Sequence, residues 1–211
     1  MNRTINPDAA VAHLRTDPVM AKVIAMVGEF RGWPPSENPF RALCRSIIFQ
    51  QLSGAAAGTI FRRFIAIWGL EGEAFPAPAQ ILGASDETLR AAGLSRQKVA
   101  SVRGLAEHFG SGELSLDHFQ EWDDEEIITH LTRVRGVGRW TAEMFLMFHL
   151  GRPDVLPVND VGINRAMMKQ YGLGALPKPP QVLSIGERWR PWATVACWYL
   201  WRSEDVVVAG S

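Results

Sequence analysis

The chain has 211 residues, 47% of them hydrophobic, and its 22 basic and 22 acidic residues cancel to a formal charge of zero. That length allows one compact unit or two small lobes with a shared core, and the neutral balance excludes a protein that coats a polyanion by bulk charge alone. No apolar stretch reaches membrane-span length, and the opening MNRTINPDAAVAHLRTDP lacks the apolar region of a signal peptide, so an intracellular setting is expected.

Apolar residues recur at helical spacing nearly throughout and alternating β-branched runs are scarce, so the chain reads as all-α. Proline and glycine breaks, such as Gly110-Ser111-Gly112 and Leu176-Pro177-Lys178-Pro179-Pro180, separate the segments. They predict helices over 7–15, 17–30, 39–51, 54–68, 78–82, 86–92, 95–109, 115–119, 123–134, 139–149, 160–171, 179–187 and 189–202. Val206-Val207-Val208 is the one weak strand candidate. No repeat of solenoid period is present.

Cys44 and Cys197 each fall inside an apolar helical run, which fits buried, reduced thiols. Two cysteines cannot ligate a four-cysteine iron–sulfur cluster. Gln50-Gln51-Leu52-Ser53-Gly54 breaks two apolar helices with a polar turn. Ser53 is placed to open the next helix, where the small residues Gly54 to Gly58 suggest close packing. The plain reading of Gln51 is a helix-end residue bonded to backbone.

The most informative stretch begins with the apolar period Ile127, Ile128, Leu131, Val134, which runs into Arg135-Gly136-Val137-Gly138-Arg139 and then a second period from Trp140 through Met144 to Phe148. The pattern is helix, tight turn, helix. The two glycines let the turn adopt positive φ and leave backbone amides bare enough for a phosphate oxygen to approach. The start of the second helix adds amides and its dipole, and Val137 is expected to plug inward. Arg133, Arg135 and Arg139 gather positive charge at this turn, while Asp123, Asp124, Glu125 and Glu126 read as a helix cap and solvated face.

Downstream, Pro157-Val158-Asn159-Asp160 turns extended chain into helix, with Asn159 as the expected N-cap and Asp160 in the first turn, ionised beside the helix dipole. By itself such an aspartate most often only caps its helix. Four of the eight tryptophans, Trp189, Trp192, Trp198 and Trp201, crowd the C-terminal stretch, and most of them read as core. Trp198 and Trp201 share a helix face. His13, His108, His118, His130 and His149 form no pair at metal-ligand spacing, so no metal site is expected.

The hairpin at 135–139 followed by Pro157-Val158-Asn159-Asp160 resembles the helix-hairpin-helix DNA glycosylase superfamily. Gly138-Arg139-Trp140-Thr141-Ala142 and the Asn38-Pro39-Phe40-Arg41-Ala42 opening are most similar to its alkylated-base branch, the 3-methyladenine DNA glycosylase II type. The resemblance covers roughly residues 36 to 205. It implies a two-lobed helical fold with the active-site cleft between the lobes. Residues 1–37 would pack with the C-terminal lobe 150–211, and 38–149 would form the lobe carrying the hairpin. The roughly 35 residues before Asn38 are too few for the extra N-terminal domain of larger members, so a compact form is expected.

The resemblance assigns Asp160 as the catalytic carboxylate and Trp201, Trp140 and Met144 to the substrate pocket. Met144 departs from the aromatic residue of the best-known member. Gly136, Val137, Gly138, Arg139 and Thr141 would hold the DNA backbone, and Gln51, with Leu52 as second choice, would be the wedge that fills the stack when a base is extruded. Where members that nick the strand carry a lysine, this chain has Trp140, so the covalent lyase step should be missing. The implied activity is hydrolysis of the N-glycosidic bond of alkylated purines in double-stranded DNA, leaving an abasic site, by a monomer in the cytoplasm, at the nucleoid in a bacterial cell. The resemblance implies no cofactor beyond a monovalent cation on the hairpin carbonyls. Two other readings stand beside it: a non-catalytic helix-hairpin-helix module, for which residues 153–163 and the C-terminal tryptophans would have no purpose, and a glycosylase for deaminated or oxidised bases.

Overall fold

Most helix starts in this chain are written by a small polar residue or by a proline in the first turn, and the computed structural model forms helices at those places. It describes residues 5–32, 38–114, 119 and 121–209, the last five by backbone alone. The chain divides into two compact units, one of residues 36–145 and the other of residues 1–35 with 146–211. Among the described residues there are helices and turns and no strand. None of those helices is long and apolar enough to cross a membrane.

The unit of residues 36–145 holds α3 (Pro39–Phe49), α4 (Gly54–Ala66), α5 (Pro78–Gly83), α6 (Asp86–Ala91), α7 (Arg96–Ser111), α8 (Asp124–Leu131) and most of α9 (Arg139–Phe148). Asn38, Ser53, Ser85 and Ser95 each accept a first-turn amide, and Asp123 forms a reciprocal capping box with Glu126. The longest of these helices, α7, is the platform: α3, α5 and α6 pack on it. Its buried Val99, Val102, Leu105 and Ala106 face Leu43 and Ile47 as part of the same apolar core. Cys44 lies in that core, where burial pushes its thiol well above the usual range and leaves it inert.

The other unit is built from α1 (Pro7–Leu14), α2 (Pro18–Val27), α10 (Val161–Gln170), α11 (Pro179–Gly186), a 3-10 turn (Glu187–Trp189) and α12 (Ala193–Ala209). α12 packs against α2 and α10. A buried polar relay fastens the N-terminal helices to the rest: Trp189 Nε1 donates to the Tyr171 hydroxyl at 3.1 Å, which donates to Asp17 Oδ2 at 2.7 Å. Asp17 Oδ1 caps α2. Burial, then the bond to Asp17, pushes the Tyr171 phenol far up.

Four sequence expectations shift. The helix predicted over 17–30 ends at Val27, because Gly28 turns out of the helix at φ 93. The helix predicted over 189–202 starts later, at Ala193, since Arg190 before Pro191 is forced into extended backbone. Val206-Val207-Val208 is no strand; it continues α12, whose ladder already runs through it. Of the small residues after Ser53 only Ala57 is packed in the core; Gly54, Ala55 and Ala56 are exposed. The helix predicted over 115–119 lies largely outside the described residues.

Candidate functional site

Asp160 is the N-cap of α10, one residue earlier in the helix frame than the sequence suggests. Its backbone is extended, at φ −72 and ψ 120, and its Oδ1 accepts the Ile163 amide at 2.7 Å, so the cap belongs to Asp160 and not to Asn159. An aspartate accepts that amide with a full negative charge at the helix's positive end. Asp160 is only 8% exposed. The same Oδ1 accepts the indole N–H of Trp201 at 3.0 Å, a contact that spans 41 residues of chain.

Gly162 leaves room for the approach of Trp201 to Asp160. A Cβ there would lie 3.2 Å from Asp160 Oδ1 and 3.1 Å from the indole Cδ1. Phe148 lies against the half-buried Trp201 ring, with centroids 5.8 Å apart. Asn164, a turn into α10, donates to the Val158 carbonyl at 3.1 Å and closes the turn before Asp160. The loop leading there is pinned to the start of α12: the buried Thr194 hydroxyl donates to the Arg152 carbonyl at 2.7 Å and accepts the Val155 amide at 3.0 Å. Arg190 holds Asp154 at 2.7 Å. The result is a charged group largely withdrawn from water, oriented by two neutral donors beside aromatic rings.

In the other unit, the hairpin between α8 and α9 has the expected form. Val137 is buried, and its amide closes a turn on the Val134 carbonyl at 3.0 Å. The two glycines do different things. Gly136 sits at φ 88 with a would-be Cβ 2.1 Å from Ser101 Oγ, so both conformation and packing demand glycine. Gly138 needs no positive φ, contrary to the expectation for both, and a Cβ there would meet nothing within 4 Å. The Gly138 carbonyl accepts the Ala142 amide as the helical ladder of α9 begins.

Charge at the hairpin also differs from expectation. Arg139 donates to Glu125 through both terminal nitrogens and to Glu143 through Nε at 3.0 Å. Glu125 is therefore more than a solvated residue, and Arg139 holds Glu125 below the usual carboxylate range. Arg133 and Arg135 remain exposed. Thr141, expected at the DNA backbone, is buried at 1% exposure, with its hydroxyl turned to another side chain rather than to solvent. On α9, Trp140 is half-buried and Met144 is buried.

The turn after α3 carries the expected wedge residues outward. Gln51 takes left-handed backbone at φ 57 and is exposed, as is Leu52. Gln50 points elsewhere, donating through Nε2 to the Thr141 hydroxyl at 2.8 Å and the Gly136 carbonyl at 3.2 Å. Sequence reasoning missed Gln50, Gly162 and Asn164. Only Gly162, a glycine in the first turn of a helix where it is intrinsically poor, left a signal. No three His, Cys, Asp or Glu side chains gather into a metal-ion set among the described residues.

A glycine hairpin between two helices, followed further along the chain by a shielded aspartate that caps a later helix, is the pattern of a helix-hairpin-helix protein. The family model described as "HhH-GPD superfamily base excision DNA repair protein" matches residues 44–191, and the chain belongs to that superfamily. Its similarity within the family is to the 3-methyladenine DNA glycosylases. It is 35% identical over 188 residues to DNA-3-methyladenine glycosylase 1 of Schizosaccharomyces pombe, covering 88% of this chain and 82% of that protein. With DNA-3-methyladenine glycosylase 2 of Escherichia coli it shares 27% identity over 81% of this chain and 60% of that one. The solved structure of the S. pombe glycosylase Mag1 in complex with abasic DNA superposes with a TM-score of 0.86 at 33% identity, covering 93% of this chain and 97% of the other.

Proposed function

We propose that this protein is a monofunctional DNA glycosylase of base excision repair, which hydrolyses the N-glycosidic bond of alkylated purines in duplex DNA and leaves an abasic site. The observation that carries the reading is the Asp160 carboxylate, 8% exposed and held by the Trp201 indole N–H and the Ile163 amide. A capping aspartate needs neither Trp201 nor shielding from water.

Breaking the glycosidic bond leaves positive charge on the sugar in an oxocarbenium-like transition state. The fixed Asp160 anion stabilises that charge as it grows, and in poorly hydrated surroundings the attraction is stronger than in water. The same carboxylate orients the attacking water or takes its proton. A purine methylated at N3 or N7 already carries positive charge, so it leaves without a general acid. The electron-rich face of Trp201 favours such a cationic base over a neutral one. Trp140 stands where strand-nicking relatives of the resemblance carry lysine; without an amine no Schiff base forms, and water completes the reaction.

The hairpin amides around Gly138, where no side chain stands in the way, suit a DNA phosphate. The monovalent cation implied by the resemblance fits the neutral carbonyls there. Those of Val134 and Gly136 each accept one hydrogen bond and keep a second lone pair. Held by those carbonyls, the ion would supply positive charge toward the DNA backbone, and no step of the reaction passes through it. Gln51, with Leu52 beside it, fills the stack behind the extruded base.

The test is incubation with methylated duplex DNA, chromatography of released bases, and a search for strand breaks before and after alkali. Released methylpurines with breaks only after alkali are expected. Duplex bound with no base released would leave a binding module, and breaks before alkali would contradict the water mechanism.

A further inference from the structure

The geometry points to Gln50 as a positioning residue that couples the wedge turn to the phosphate-holding hairpin, so that gripping the backbone and inserting the wedge are a single docking event. The inference rests on the glycosylase reading and concerns base extrusion, not bond cleavage. Gln50 ends α3, yet its side chain does not serve that helix. It reaches 86 and 91 residues along the chain to the Gly136 carbonyl and the buried Thr141 hydroxyl, one on each side of Gly138.

The end of α3 is closed by another group. Lys98 Nζ donates to the carbonyls of Ile48 at 2.7 Å and Gln50 at 2.9 Å, placing an ammonium on the negative end of the helix. Lys98 belongs to α7, and one turn further along the same helix Ser101 forms the bed against which Gly136 lies. Wedge turn and hairpin are thus seated side by side on α7 and bridged directly by Gln50. Between these anchors and the Ser53 cap of α4, Gln51 is held in left-handed backbone that a non-glycine residue adopts rarely. Its side chain and that of Leu52 are presented to solvent with their backbone already fixed, which lowers the ordering cost of insertion.

Gln50→Met keeps length and loses both donors. The readout is single-turnover base release from two duplexes, one with 7-methylguanine paired to cytosine and one with it facing an abasic analogue. The unpaired lesion is already partly unstacked and needs less help to leave the helix. Loss of two hydrogen bonds predicts release slowed by about tenfold or more on the paired lesion, with most of the parental rate regained on the unpaired one. A 2-aminopurine beside the lesion should show a smaller fluorescence rise on binding. Thr141→Val, which removes one acceptor and keeps the shape, should show the same split at smaller size if Gln50→Met folds poorly. Equal slowing on both duplexes, or none, overturns the coupling while the glycosylase reading stands. If the parent protein releases no base from either duplex, that reading falls and the inference with it.

Discussion

The surroundings of Asp160 and the hairpin of residues 135–139 solve opposite problems. On the proposed reading a side chain carries the function at Asp160, where the Trp201 indole and the Ile163 amide both donate to one carboxylate oxygen. At the hairpin the same reading gives the function to the backbone, with side chains behind it: Val137 and Thr141 are buried, Ser101 lies against Gly136, and Gln50 donates to the Gly136 carbonyl. Chemistry on a sugar needs one charge at one place, whereas holding a phosphate needs several dipoles and no bulk. The difference explains why the two regions should respond differently to substitution.

Asp160→Asn should break the first region alone and has the largest effect. Asparagine caps a helix as well as aspartate does, so the melting temperature should hold while single-turnover base release falls by about 10²–10³-fold. The glycines sharpen the comparison from the other side. Gly136→Ala drives a Cβ into Ser101 from left-handed backbone and should cost about 2–4 kcal/mol in denaturant unfolding. Gly138→Ala should leave stability unchanged and weaken duplex binding. Trp201→Phe keeps an aromatic ring but removes a hydrogen bond to a charged group, and base release should drop by about tenfold to a hundredfold with duplex affinity unchanged.

The smallest effect is expected at Glu125, which Arg139 holds below the usual carboxylate range. A depressed folded pKa contributes stability above the unfolded value, about pH 4.3, and loses it as pH falls through the folded value. Glu125→Gln should therefore be slightly less stable than the parent at neutral pH and equal to it in acid, the pair being open to solvent. With Arg139 left to Glu143 alone, duplex affinity should rise at low salt and fall more steeply as salt is added.

What was legible in the sequence was local. Ser53, the acidic run at Asp123 and the apolar periods set most helix starts within a residue or two, the start at Ala193 excepted, and the spacing of Gly136, Val137 and Gly138 gave the hairpin with Val137 inward. What was hidden depends on residues far apart in the chain. Asn159 and Asp160 are comparable caps, and Trp201 joins only the second, through a bond that helix periodicity cannot show. The Gln50 amide and the Lys98 ammonium carry no pattern of their own, since a polar helix end is ordinary until its partner is known. The acidic run at 123–126 read as a solvated face because its Arg139 partner stands 14 residues from Glu125, across the turn.

Whether bond cleavage and backbone grip reside in different groups is tested most directly by one paired measurement. Duplex affinity and single-turnover base release at saturating protein are read on the same 7-methylguanine duplex for the parent, Asp160→Asn and Gly138→Ala. Asp160→Asn should bind as the parent does and release almost no base, and Gly138→Ala should bind more weakly yet release at the parental rate once saturated. Parental release by Asp160→Asn, or a collapsed saturated rate for Gly138→Ala at parental affinity, would contradict it.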